Sequence, residues 1–203
     1  PPVPPPPPPG QPFIISVDTS LGNGNASFEI PASNEYIYDY SATWTSVSDP
    51  SITGTVLGLT GTSTIEFPAG GQYGIEITGL FPAMEVGKFS PDPAKVTGII
   101  QWGSNPWQSM NSMFSQCDNL SLYIALDKPD LSQVTDMSYM FNGASQFDGD
   151  ISGWDVSGVT NMNSAFLYAS QFNGDLSGWD VSSVTDMSYM FNGASQSNGD
   201  ISG

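Results

Sequence analysis

The side chains that could do chemistry in this sequence recur, and most recur at one interval. Aspartates stand at Asp150, Asp175 and Asp200, and again at Asp155 and Asp180, 25 residues apart each time. Repeated Asp in glycine-rich turns can hold Ca²⁺. The spacing here matches neither an EF-hand loop nor a glycine-rich nonapeptide, so these acids read as solvated turn caps. A facing carboxylate pair could hydrolyse a glycosidic bond, but acids placed by a repeat point to fold rather than reaction. The chain has no histidine, no arginine, no phosphate loop and no Ser-His-Asp set. We therefore expect no enzyme, no cofactor, no resident metal and no catalytic residue.

The one cysteine, Cys117, excludes an internal disulfide. It shares a column with Ala144, Ala169 and Ala194, each three residues after a phenylalanine. A small core position fits it better than a reactive thiol. Trp154 and Trp179 could form a carbohydrate platform or a packing ladder, and their periodicity favours the ladder.

These residues are positioned by a 25-residue phrase. From Val134 it reads VTDMSYMFNGASQFDGDISGWDVSG, and it restarts at Val159 and Val184. Such a period marks a solenoid of stacked units. Val134, Met137, Met140 and Phe141 fall on one face of a short helix. Ser132 would cap it, Asp136 would suit its first turn, and Asn142-Gly143 would end it. Ile151 to Val156 reads as a strand that stacks on its copies in a parallel ladder at about 4.8 Å. The expected repeat core is Met137, Phe141, Phe147, Ile151, Trp154, Met162, Phe166, Phe172, Trp179, Met187 and Phe191. Trp102 precedes Met110 by eight residues, as Trp154 precedes Met162 and Trp179 precedes Met187. A diverged unit thus begins at Ile99. Phe114 to Phe141 spans 27 residues, so the next unit carries two extra. The solenoid is assigned to 96–203, with about four units near 99–125, 126–150, 151–175 and 176–203.

Residues 1–12 are nearly all proline and form a polyproline II arm. The arm is a stiff spacer, or a partner-binding or glycan-bearing segment. Residues 13–95 alternate in short strands broken by turns, among them 13–20, 27–30, 36–44, 64–67 and 72–79, which implies a β-sandwich. The expected fold is mainly β with short helices, a sandwich followed by a solenoid.

Two resemblances accompany that reading. Residues 65–82, IEFPAGGQYGIEITGLFP, look like the closing strands of a PKD-type, immunoglobulin-like domain, and 38–44, YDYSATW, resembles its central strand. The family's W-G-D-G turn is replaced after Trp44 by Thr45-Ser46-Val47. The motifs Trp154-Asp-Val-Ser, Val159-Thr-Asn-Met, Met140-Phe141 and Ala169-Ser-Gln-Phe-Asn-Gly-Asp-Leu-Ser resemble the leucine-rich-repeat-like units of the BspA-like family, over Ile99 to Gly203. That resemblance implies secretion, surface display, and adhesion or assembly.

A formal charge of −17 argues against nucleic acid and anionic lipid as partners. No apolar run is long enough to span a membrane. A surface rich in Ser, Thr, Asn and Gln suits an extracellular or cell-surface protein. Asn25 and Asn119 begin N-glycosylation sequons, so glycans there or on the arm are candidate partners. The last unit stops at Gly203 before its Trp, which reads either as an uncapped end or as a longer chain. Phe13, Ile14, Ile15 and Val17 form a candidate donor strand behind the arm. We therefore expect a structural subunit that polymerises head-to-tail. The alternative is a monomeric adhesin using the solenoid face.

Overall fold

The computed structural model describes residues 10–198. Alternating apolar residues build its first half. β1 (Phe13–Asp18) buries Phe13, Ile15 and Val17 and turns Ile14 and Ser16 outward. β2 (Ser27–Ile30), β3 (Asp39–Ser46), β4 (Thr53–Leu59), β5 (Ser63–Glu66) and β6 (Gln72–Leu80) follow, most of them with the same period of two. Next come the single helical turn α1 (Val86–Phe89), a 3₁₀ turn at Pro93–Lys95, β7 (Val96–Gln101) and β8 (Leu122–Tyr123). The fold is mainly β.

Six strands form one mixed sheet in the order β4-β3-β6-β1-β7-β8, while β2 and β5 pair separately. All pairings are antiparallel except β7 with β8. β1 lies inside, bonded to β6 on one side and β7 on the other. The candidate donor strand is thus an inner strand of its own sheet. β7 and β8 belong to this sheet although they lie beyond the expected boundary at 95/96, so sheet and repeats are continuous in hydrogen bonding.

The core is continuous too. Phe13 stacks on Trp102 at 5.7 Å and meets Trp107 edge-on at 4.9 Å. Trp102 in turn meets Trp154 at 5.2 Å and Phe114 at 6.2 Å. Lys95 closes the other flank. Its buried ammonium donates to Asn23 Oδ1 and to the carbonyls of Asn25 and Ser27, beside Asp92 at 3.1 Å.

The repeats correct two expectations. Residues 134–142 form tight turns rather than a helix. The N–H groups of Met137, Tyr139, Phe141 and Gly143 donate across to the carbonyls of Asn161, Asn163, Ala165 and Leu167, at 2.7–2.9 Å. The intervening Met140, Asn142 and Ala144 close turns on Met137, Tyr139 and Phe141. A right-handed helix cannot persist because Tyr139 and Gly143 are left-handed, with φ of 58° and 74°. Ser132 caps no helix; its N–H donates to Asp130. Likewise Ile151–Val156 forms turns, not a strand, with Trp154 N–H bonded to Ile151 O. The parallel pairing sits instead at β7–β8 and at bridges joining Asp136, Asn161 and Asp186. Each of the first three units donates to the one after it: Met110, Ser112, Phe114 and Gln116 to unit two, and Met162, Ser164, Phe166 and Tyr168 to unit four. α1 lies on the first unit, where Gly87 N–H donates to Ser112 O and any Cβ at 87 would strike Ser115.

Candidate functional site

The recurring acids serve their own turns. Asp130, Asp136, Asp150, Asp155, Asp175, Asp180 and Asp186 each accept the N–H of the serine two residues on, at 2.8–3.2 Å. Asn161 does the same for Asn163. This is the Asx-turn, in which a short acceptor side chain replaces a backbone carbonyl. Hydrogen bonds from Ser152 and the Lys128 ammonium hold Asp150 below the ordinary carboxylate range. Bonds from Ser182 and Ser188 do the same for Asp180 and Asp186. Among the described residues no group of three or more acids or thiols is placed to hold a metal. Asp200 lies outside the described residues.

The aromatic and sulfur side chains that the repeat advertises go inside. Trp154 and Trp179 are only 4% and 3% exposed, and Trp179 Nε1 donates to Ile151 O at 3.1 Å. Phe114, Phe141, Phe166 and Phe191 stack at 5.8, 5.5 and 5.4 Å, with Phe147 and Phe172 beside them at 5.9 Å. Met137, Met162 and Ile151 are buried, while Met187 and Phe191 are partly so. Cys117, Ala144, Ala169 and Ala194 fill the small column. Burial pushes the Cys117 thiol well above its usual range, so it stays protonated and unreactive.

What remains outside is tyrosine. Tyr139, Tyr168 and Tyr189 are 41%, 60% and 67% exposed. All three occupy left-handed positions, with φ near 58°. Each unit has two such positions, four residues apart. The first holds Ser112, Tyr139, Ser164 and Tyr189; the second holds Gln116, Gly143, Tyr168 and Gly193. The Tyr168 ring lies over Gly193, where a Cβ would collide with it. The sequence signal was available but faint. In Met-Ser-Tyr-Met-Phe the tyrosine is the large aromatic out of phase with the core.

A second concavity sits where the repeat carries its two extra residues. A cleft of about 440 Å³ opens between 123–128 and 148–154, lined by Tyr123, Leu126, Lys128, Asp148, Asp150 and Trp154 among others. Both carboxylates already accept backbone N–H groups, from Asn173 and Ser152. Tyr123 Oη accepts from Trp102 Nε1, and burial raises its pKa.

Of the two sequons, Asn25 is exposed in the irregular segment before β2. Asn119 is half-buried, and its amide donates to Ala94 O at 2.9 Å. No described helix is long and apolar enough to cross a membrane. Compared with known proteins, residues 99–203 match the family described as "Mycoplasma protein of unknown function, DUF285". No curated protein and no solved structure matches the chain.

Proposed function

The chain belongs to the DUF285 family by just over half its length, and we propose a non-enzymatic extracellular structural protein whose work is contact. Copies join one another into a surface or extracellular filament. The observation that carries this reading is the tyrosine face. Phe and Trp of the same units point inward, whereas three tyrosines stand in solvent, Tyr139 and Tyr189 at one position of the unit and Tyr168 at another. Aromatic side chains held outward on a rigid ladder favour interfaces. Seven of the described aspartates support the non-catalytic part, since each accepts the N–H of the serine two residues on in its own turn. The likeness of the units to BspA-like, leucine-rich-repeat-like units, and of the strands to PKD-type domains, supports surface display on a sandwich-plus-solenoid plan. Glycans, where present, favour exposed Asn25 and the proline arm.

Exchange of β1 between copies would open two ladders at once and expose Phe13, Ile15 and Val17. A joint made through exposed surface is the less demanding route. The second reading is a monomeric adhesin that binds a protein or glycan through the repeat face, and the cleft beside Lys128 favours it. Sedimentation and electron microscopy of the full chain separate the two. Concentration-dependent growth into fibres is expected. A monomer at every concentration would overturn assembly and leave the adhesin.

A further inference from the structure

Resting on the assembly reading, we infer that the tyrosine face of one copy receives the proline arm of a second copy as a polyproline II rod. The spacing points to this occupant. Tyr139 and Tyr189 hold the same position two units apart on a hydrogen-bonded parallel stack. Two residues on, Phe141, Phe166 and Phe191 stack at 5.5 and 5.4 Å, so two such rungs span on the order of 10 Å. A polyproline II helix repeats its face every three residues, about 9.3 Å. Ring faces at that interval match successive turns of the rod. Tyr168 stands in the unit between, at the second left-handed position.

The chemistry agrees with the spacing. A proline run offers carbonyl acceptors and no N–H donors, and a tyrosine hydroxyl can donate to it while the ring covers a pyrrolidine. Proline-rich segments favour the extended polyproline II form before binding, so docking one costs little conformational entropy. Charge narrows the choice of occupant further. Copies carrying −17 repel one another, yet residues 1–12 contain no charged side chain. The arm can therefore approach a second copy without like-charge opposition. Its root is fixed to the body: Gly10 N–H donates to Ser104 Oγ, Ser104 N–H to Gln11 O, and Gln101 Nε2 to Pro12 O. A captured arm would therefore tether the whole neighbour.

The repeat supplies its own conservative substitutions. Ser164 already occupies the position of Tyr139 and Tyr189, and Gly143 and Gly193 that of Tyr168. The full chain is compared with the variant Tyr139→Ser/Tyr168→Gly/Tyr189→Ser and with an arm variant, Pro5→Ser/Pro7→Ser/Pro8→Ser, by sedimentation after thermal melts confirm folding. Both variants should weaken self-association about tenfold or more. A capped ten-proline peptide should compete with association of the unaltered chain. Association that is unchanged in the tyrosine variant and indifferent to the peptide overturns the arm contact and leaves the assembly reading standing. An unaltered chain that never associates overturns both.

Discussion

Lys95 shows how a single buried charge can be held in a chain with few cations. It is 1% exposed, and three oxygen acceptors and the Asp92 carboxylate surround its ammonium. Truncation would leave Asp92 buried against uncharged groups. Lys95→Ala should destabilise the fold by about 3–5 kcal/mol, read from urea denaturation. A loss near zero would mean that the cluster relaxes or takes up water. The turn aspartates act in the opposite sense of charge and on a smaller scale each. Bonds from Ser51, Ser152, Ser182 and Ser188 lower Asp49, Asp150, Asp180 and Asp186 below their ordinary value of 3.8, and at Asp18 burial raises the pKa but the bonds from Ser20 and Gln72 together outweigh it. A carboxyl whose folded pKa is depressed adds stability that is present above the unfolded pKa and lost as pH falls through the folded one. Glu85, raised by burial, runs the other way but is one group against five. The urea midpoint should therefore drop between about pH 5 and pH 2. Asp→Asn at 150, 180 and 186 should flatten that drop, and Asn161 already serves in one unit the turn that Asp186 serves in the next.

At the scale of the element, the left-handed turns decide the repeat. Gly193 has φ of 77°, and the Tyr168 ring occupies the space beside its Cα. Gly193→Ala therefore meets two costs, about 1–2 kcal/mol for the backbone and about 1–3 kcal/mol for the overlap. A double-mutant cycle with Tyr168→Gly should recover the second and leave the first. Additive losses would place the ring elsewhere in solution. This geometry also explains what could be read beforehand. β1, β3 and β6 were legible because alternation has one structural meaning when turns flank it. The core columns were legible because stacking forces like residues into line. The helix over Val134–Phe141 was misread because apolar residues at i, i+3 and i+4 gather equally on one side of two successive tight turns. Only the sign of φ separates the two, and Tyr139 does not announce a positive one. The ladder at Ile151–Val156 was misplaced for a related reason. Short apolar runs bury side chains whether or not their backbone pairs. The tyrosine face was hidden by that same helix, which leaves residue 139 merely off the core face. The cleft had a visible mark, the two extra residues between Phe114 and Phe141, but nothing in the sequence said which side they would open.

The whole molecule turns on an aromatic junction. Phe13 comes from β1 and Phe81 from just past β6, Trp154 and Phe114 come from the repeats, Trp102 touches Phe13, Trp154 and Phe114, and Trp107 packs on Phe13, Phe81 and Trp102. Trp107 is fully buried at that junction, and its Nε1 has no hydrogen-bond partner. Its contribution is therefore packing, without a bond to lose. Trp107→Ala should cost about 3–5 kcal/mol, and the loss should not stay local. β7 and β8 continue the sheet into the first unit, and each of the first three units donates N–H groups to the next. Loosening the junction should lower amide exchange protection in β1 and in the Met137–Gly143 rung together, with one cooperative urea transition retained at a lower midpoint. Repeats that lose protection while the β1 amides keep theirs would show two separately stable bodies. In that case the shared core would be a contact between them, and an arm rooted at Gln11 would tether only the sheets of its copy to a neighbour's stack.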